Sequence, residues 1–278
     1  LPGDDTIADL QNIYNYSFNR LLKSGITMFN EFSLRKDINH LQPISNALKQ
    51  TAQHSSICYS ITQDINTIRN YKFLNPSFYL THENLLTVYD ISNISELKSN
   101  YVSRLYLEVA TKKEVSDKFR ITFHKSIIAL LDEYGLLDES TSLINPIYLS
   151  YEDLKIITDK GASIIVCPRD LVSFSNKYFP IDDYISHGIR FSIGTGWLGE
   201  DIVKDVRLFR SRYKELNLSS VELLNAITRF PYEMYFGGDT FENTYLIDVN
   251  KKADLVFVDL SDIRFQLFPE SFSYENIC

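Results

Sequence analysis

Few residues of this 278-residue chain are equipped for chemistry. Histidines stand at His40, His54, His82, His124 and His187, and cysteines at Cys58, Cys167 and Cys278. A zinc site needs three or four nitrogen, sulfur or carboxylate donors, commonly announced by short Cys or His spacings. No His-x-His and no CxxC occurs. No Ser or Cys sits in a GxSxG nucleophile turn, and GxxxxGK[ST] is absent. A dinucleotide fold is not expected. Three local constellations remain. His124 ends the apolar run Ile121-Thr122-Phe123, and either binds a ligand or is a hydrogen-bonded structural residue. His82, after Leu80-Thr81, either faces the same mouth or lies on a surface loop. Arg169 and Asp170 follow Cys167-Pro168 at a strand end, and either hold a polar ligand or form a loop ion pair. Trp197, the one tryptophan, follows Gly194-Thr195-Gly196 and is placed to stack on a ring. Cys167, inside an apolar strand, reads as a buried, inert thiol.

The elements that must position these residues alternate. A helical stripe runs from Thr6 to Leu22 with Gly25 as its cap, before a short strand at Ile26–Phe29. A helix over Ile44–Ala52 leads to a strand at Ser56–Ile61. A helix around Glu96–Ala110 is expected to lead to a strand at Arg120–His124. Lys125–Tyr134 is helical, and Leu143–Leu149 is strand-like. Ser150-Tyr151-Glu152-Asp153 has capping-box spacing and opens a helix ending near Gly161. Strands at Ser163–Cys167 and Ile189–Ile193 flank a helix at Pro180–Ile185. Helices at Asp201–Leu216 and Ser219–Tyr235 follow. Residues 244–248 and 253–258 read as a small β appendage. Strands alternating with helices predict an α/β fold with a parallel sheet.

Composition narrows the partners. Lys+Arg total 28 against Asp+Glu 36, a formal charge of −8. No basic patch is evident, so neither nucleic acid nor an anionic membrane is an expected partner. No apolar run is long enough for a membrane span, and the first residues do not read as a signal peptide. Three widely spaced cysteines fit a reducing cytoplasm.

Several phrases, in order, resemble the amidohydrolase superfamily, in the branch of chlorohydrolases, guanine deaminases and adenosylhomocysteine deaminases. They are Leu1-Pro2-Gly3, Ser24-Gly25-Ile26-Thr27, Phe123-His124, Tyr134-Gly135-Leu136-Leu137 through Leu149-Ser150-Tyr151-Glu152, Val166-Cys167-Pro168-Arg169, Gly188-Ile189 with Ile193-Gly194-Thr195, and Lys251-Lys252-Ala253-Asp254-Leu255-Val256. The resemblance implies a (β/α)8 TIM-like barrel over 1–238. It also implies a C-terminal β segment of a small composite domain over 239–278. A first barrel strand has no counterpart between Gly3 and Asp4, which would leave a sheet edge for a protein partner or a second copy to cover.

By the same resemblance, the activity would be metal-dependent hydrolysis of a C–N or C–Cl bond in a cyclic amidine or nucleobase-like substrate. The family binds its metal through a strand-one His-x-His, a His on strand five, a His on strand six and an Asp on strand eight. Carried onto this chain, only His124 is retained, as the strand-five position. Asn145 stands at the strand-six position and Gly196 at the strand-eight position, and the family's HxxE acid falls on Ile127. No catalytic residue is therefore assigned, and whether the chain is an enzyme stays open. Three readings follow. The first is a catalytically degenerate binding or scaffold protein without a cofactor, its emptied pocket plugged by side chains such as Trp197. The second is a divergent zinc or iron hydrolase whose missing ligands lie in an absent segment. The third is a barrel that binds a small polar ligand through His82, His124, Asn145, Arg169, Asp170 and Trp197.

Overall fold

Apolar residues three and four apart make the first helix, and packing keeps it. In a computed structural model of the protein, α1 spans Ile7–Lys23. Its Leu10, Tyr14 and Phe18 are buried against Leu41, Ile44 and Leu48 of α2 (Leu41–Thr51). Gly25 ends α1 at φ 86°, and Ile26 N–H returns to the Leu21 carbonyl at 3.0 Å. That left-handed turn is cheap only for glycine. The structure describes residues 7–33, 41–51, 54–59, 76–85, 87–101, 104–175, 178–199, 201–216 and 218–236, together with 247, 249 and 255–257.

The chain divides into two compact units, Leu1–Ile165 with Phe179–Arg190, and Val166–Tyr178 with Phe191–Cys278. The first unit holds β1 (Met28–Ser33), β2 (His54–Tyr59), β3 (Pro76–Thr81), β4 (Arg104–Glu108), β5 (Thr141–Ile144) and the first three residues of β6 (Ser163–Val166). These strands pair in chain order and all in parallel. Between them run α3 (Val88–Tyr101), α4 (Lys113–Phe123), α5 (Ile127–Glu133) and α6 (Tyr151–Asp159), with α7 (Ile181–Ser186) after β6. The expected α/β character with a parallel sheet is what the chain adopts.

Register gives the sheet two unlike faces. Tyr79 pairs with Tyr106 and Tyr106 with Ser142, so these share one face, while Leu80, Leu107 and Leu143 share the other. The leucine face is fully buried. On β1, Phe29 meets Phe18 of α1 at a ring separation of 4.7 Å. The opposite face is polar and aromatic. Phe32 stacks on Tyr79 at 4.8 Å, Asn30 donates to the Tyr106 hydroxyl at 2.9 Å, and the hydroxyls of Ser142 and Ser163 meet at 2.9 Å. These pairings answer the rule that buried polar groups need partners.

One stretch corrects the sequence reading. Residues 104–108, expected to be helical, are β4, and the expected strand Arg120–His124 is the end of α4. A short apolar run has no periodicity of its own, and here pairing of Ser77–Thr81 with Arg104–Glu108 decides it. In α4, Phe119 and Phe123 stack at 5.5 Å, one helical turn apart, while Ile121 faces solvent.

The second unit contains β7 (Phe191–Ile193), α8 (Ile202–Arg212), α9 (Ser220–Ile227) and α10 (Arg229–Phe236). Phe209 and Tyr213, at the end of α8, pack ring to ring at 4.7 Å. The helix expected over Ser219–Tyr235 is broken at Thr228, giving α9 and α10. Of the expected C-terminal β segment, Ile247, Leu255, Val256 and Phe257 are exposed and in no regular element. Residues 244–246, 248, 253, 254 and 258 lie outside the described residues, as does His40.

Candidate functional site

Parallel sheets carry their sites at the carboxyl ends of the strands, where loops are free to vary. In the first unit these ends are Ser33, Tyr59, Thr81, Glu108 and Ile144. His82 follows β3 directly and starts the 3-10 turn His82–Leu85, whose entry is fixed by Thr81 N–H donating to Asn84 Oδ1 at 3.0 Å. Glu108 ends β4 and accepts a hydrogen bond from the Tyr79 hydroxyl. Two residues on, Ala110 turns at φ 55°, and its carbonyl accepts the N–H groups of Ile147 and Tyr148, each at 2.9 Å. Asn145 follows β5 at φ 47°, buried, its N–H on the Ile165 carbonyl at 2.9 Å.

His124 is not among these ends. It caps the C-terminus of α4 at φ 55°, exposed, a whole helix beyond the end of β4. The strand before β5 is β4, whose last residue is Glu108, so a ligand position at that strand end is a carboxylate held by a tyrosine. Sequence reasoning missed Glu108 and Tyr79. The signal was the alternation Arg104-Leu105-Tyr106-Leu107-Glu108, which puts a charge on the same face as a tyrosine.

The second unit gathers four of the expected residues. Pro168–Asp170 makes a short turn after β6. The buried Asp170 carboxylate accepts the Trp197 N–H at 3.0 Å and the Leu198 N–H at 3.3 Å. Gly196 lies between them and β7 at φ 62°, and a Cβ there would land on that carboxylate. Arg169 does not pair with Asp170. Its Nε reaches Asp205 Oδ1 at 3.2 Å and its Nη1 the Leu198 carbonyl at 3.2 Å. Asp205 is fully enclosed, and its Oδ2 has no partner among the described residues. Burial raises its pKa to about 6; Arg169 opposes the rise, while Asp201 and Asp170 add to it. Asp205 was also missed, although an acid beside Val206 and one turn before Phe209 breaks an apolar stripe.

One further expectation changes, and one motif was missed. Trp197 is 51% exposed, so its side chain does not plug a closed pocket. Gly194-Thr195-Gly196-Trp197-Leu198-Gly199 spells GxGxxG after β7, a spacing sequence reasoning missed. In a dinucleotide site such a turn opens a helix and offers N–H groups to a pyrophosphate. Here the N–H groups at 197 and 198 already hold Asp170, and α8 begins only at Ile202.

A catalytic zinc needs at least three protein donors around an open position. Among the described residues no group of three or more His, Cys, Asp or Glu is placed to hold a metal ion. His124 is exposed on a helix end, Asn145 offers an amide, and Gly196 offers nothing. The described donors do not fit the metal that the family resemblance implies.

Comparison with known proteins then bears on the family. No family model matches the chain. A 5-methylthioadenosine/S-adenosylhomocysteine deaminase from Archaeoglobus fulgidus is 27% identical over 160 residues, covering 55% of this chain and 37% of that protein. The chain thus spans well under half of that relative. Among solved structures, a zinc-bound adenosine deaminase from Xanthomonas campestris matches with a TM-score of 0.82 at 16% identity, over 98% of this chain and 66% of that one. A mutant atrazine chlorohydrolase from Arthrobacter aurescens, complexed with zinc and atraton, gives 0.72 at 13%, over 84% and 61%. Guanine deaminase from E. coli gives 0.69 at 10%, over 82% and 59%. The fold is therefore the parallel α/β fold that these proteins share. The resemblance to the amidohydrolase superfamily, in its deaminase and chlorohydrolase branch, is borne out. No helix among the described residues is long and apolar enough to cross a membrane.

Proposed function

We propose that this chain is an amidohydrolase-like (β/α) barrel, followed by a small C-terminal segment over 239–278, that has given up the family's metal-dependent hydrolysis and acts as a binding or scaffold protein. The observation that carries this is the strand-eight position. Gly196 has no donor, and the space for one is taken by the Asp170 carboxylate, itself committed to two backbone N–H groups. A carboxylate bound that way anchors a turn and is a poor general base. The Tyr79–Glu108 contact supports the same reading, since it commits the strand-end acid to a buried hydroxyl. On this reading the barrel lacks its first strand, and a protein partner or second copy covers the edge in a cytoplasmic setting.

The test is metal content by elemental mass spectrometry after dialysis without chelator, followed by titration with zinc and assay against adenosine-type and triazine substrates. Metal well below one equivalent, with no turnover after titration, is the expected result. Near-stoichiometric zinc with deamination or dechlorination would overturn it. A second reading, a zinc-dependent deaminase completed by further ligands, is favoured by the names of the relatives and by the share of their length that this chain leaves unmatched. Turnover would establish that reading.

A further inference from the structure

One surface of the first unit carries charge and apolar area that the fold does not use. From Lys112 to Lys125, around α4, five lysines and arginines stand against Glu114 and Asp117, a net +3 in a chain of −8. Sequence reasoning passed over this local excess because the chain as a whole is acidic. Lys125 is committed to Glu133 at 2.7 Å. Lys112, Lys113 and Lys118 are exposed and make no ion pair among the described residues. Lys112 is the N-cap of α4 without a side-chain cap bond, and Lys113 opens its first turn. The helix dipole disfavours cations there, so they do not serve the helix. Ile121, one turn after Lys118, is 76% exposed.

α6 and α7 present the opposite charge. Tyr151 opens α6 and is 69% exposed, and its ring meets that of His187, just after α7, at 5.1 Å. Glu152 beside it, and Asp182 and Asp183 in the first turn of α7, are exposed without an ion pair among the described residues. Within α6 the one cation is Lys155. The basic and acidic areas adjoin. Arg120 of α4 lies 3.8 Å from Asp153 of α6, and Ser126, ahead of α5, donates to the same carboxylate.

A two-fold interface brings one patch against itself, so each half must complement the other. α4 against a partner's α4 would set like charges together. α4 against a partner's α6 and α7 sets Lys113 and Lys118 towards Glu152 and Asp183, and covers Ile121 and Tyr151. We propose that two copies of this chain pair about a two-fold axis, α4 of each lying on the α6–α7 surface of the other. The surface is separate from the sheet edge and from the strand-end residues. It therefore stands whatever covers that edge and whether or not the chain hydrolyses anything.

The experiment is sedimentation equilibrium of the full chain over a range of concentration and salt. A monomer–dimer equilibrium that weakens as salt rises is expected. Lys113→Glu with Lys118→Glu, and separately Glu152→Lys with Asp183→Lys, should each weaken the dimer at least about tenfold while the melting temperature holds. Mixing these two variants should restore it, because each then meets its opposite charge. Ile121→Asp should weaken it to a similar extent, and neither charge variant should rescue it. A chain that stays monomeric would overturn the proposal. So would a dimer indifferent to any of these variants, a mixture that does not recover, or growth beyond the dimer, which a closed two-fold pair forbids.

Discussion

Two ion pairs, one in each unit, show how the surroundings of a carboxylate decide what a salt bridge does. In the first unit Lys98 on α3 is buried, and its Nζ reaches Asp138 Oδ2 at 2.6 Å, Thr141 Oγ1 at 3.1 Å and the Leu136 carbonyl at 3.3 Å. Asp138 is half exposed. Burial would raise its pKa, but hydrogen bonds from Lys98 and Ser140 outweigh that and hold it below its ordinary 3.8. In the second unit Arg169 meets Asp205 at 3.2 Å, yet Asp205 is fully enclosed and raised to about 6. In the first pair the ammonium is buried with three acceptors, and the acid keeps contact with water. In the second the acid is buried with one good contact and one idle oxygen. The desolvation cost is met in the first case and left open in the second.

The largest effect expected from breaking this contrast is at Arg169. Arg169→Ala leaves the Asp205 charge enclosed and should cost about 3–5 kcal/mol above the Asp205 pKa. Asp205 escapes by taking a proton, so the cost should shrink at acid pH. Adding Asp205→Asn should restore part of the loss at neutral pH. Urea unfolding of the single and double variants at acid and neutral pH checks this. A cost that does not change with pH would mean that Asp205 is not the group left behind.

The pH dependence of the parent protein follows next. A carboxylate raised from 3.8 to about 6 binds its proton more tightly folded than unfolded. Its contribution is complete below pH 3.8 and is lost as pH rises to about 6. Across that window it is worth about 2–3 kcal/mol at most. Asp138 has the opposite sign: its contribution is present above 3.8 and is lost as pH falls through its lowered value. Glu31 on β1, raised by burial from 4.5 to about 7, acts in the same direction as Asp205. Melting temperature should therefore fall as pH rises from about 4 towards 7, and Asp205→Asn with Glu31→Gln should flatten the fall. A parent that gains stability across that window would sink the assignment.

Lys98→Met removes the hub of the better-satisfied pair. Asp138 can return to water, and the Leu136 carbonyl keeps the Thr141 hydroxyl at 2.7 Å. The loss should be about 1–3 kcal/mol, smaller than at Arg169 although Lys98 makes more contacts. Chemical denaturation of the two variants side by side tests that ranking, and a larger loss at Lys98 would reverse the comparison.

What was legible in the sequence follows the same division between local and distant causes. Ser150 accepts from Asp153 N–H at 3.2 Å and Asp153 accepts from Ser150 N–H at 2.8 Å, the box that the four-residue spacing predicts. Gly25 and Gly161 take positive φ where helices were expected to stop. These devices are written in neighbouring residues. The β4–α4 stretch was misread because its outcome rests on pairing with a strand 27 residues earlier. Arg169, Asp170, Gly196 and Trp197 were legible as strand-end residues. Their arrangement was not, because the anchor of Asp170 comes from N–H groups 27 and 28 residues away. Glu108 and Asp205 escaped notice because their meaning lies in what encloses them.

The smallest effect concerns Asn145, which tests how far the good satisfaction of the first unit extends to its backbone. Asn145 is buried at φ 47°, a region that Asn tolerates better than other residues with a side chain. Asn145→Gly keeps the conformation free of strain and loses the side-chain contacts. Asn145→Ala loses the same contacts and adds the strain of a left-handed alanine. The alanine variant should therefore be the less stable, by about 1 kcal/mol, with the N–H to Ile165 retained in both. Thermal melts of the pair read this difference directly. Equal stabilities would mean that the turn relaxes out of the left-handed region in the alanine variant.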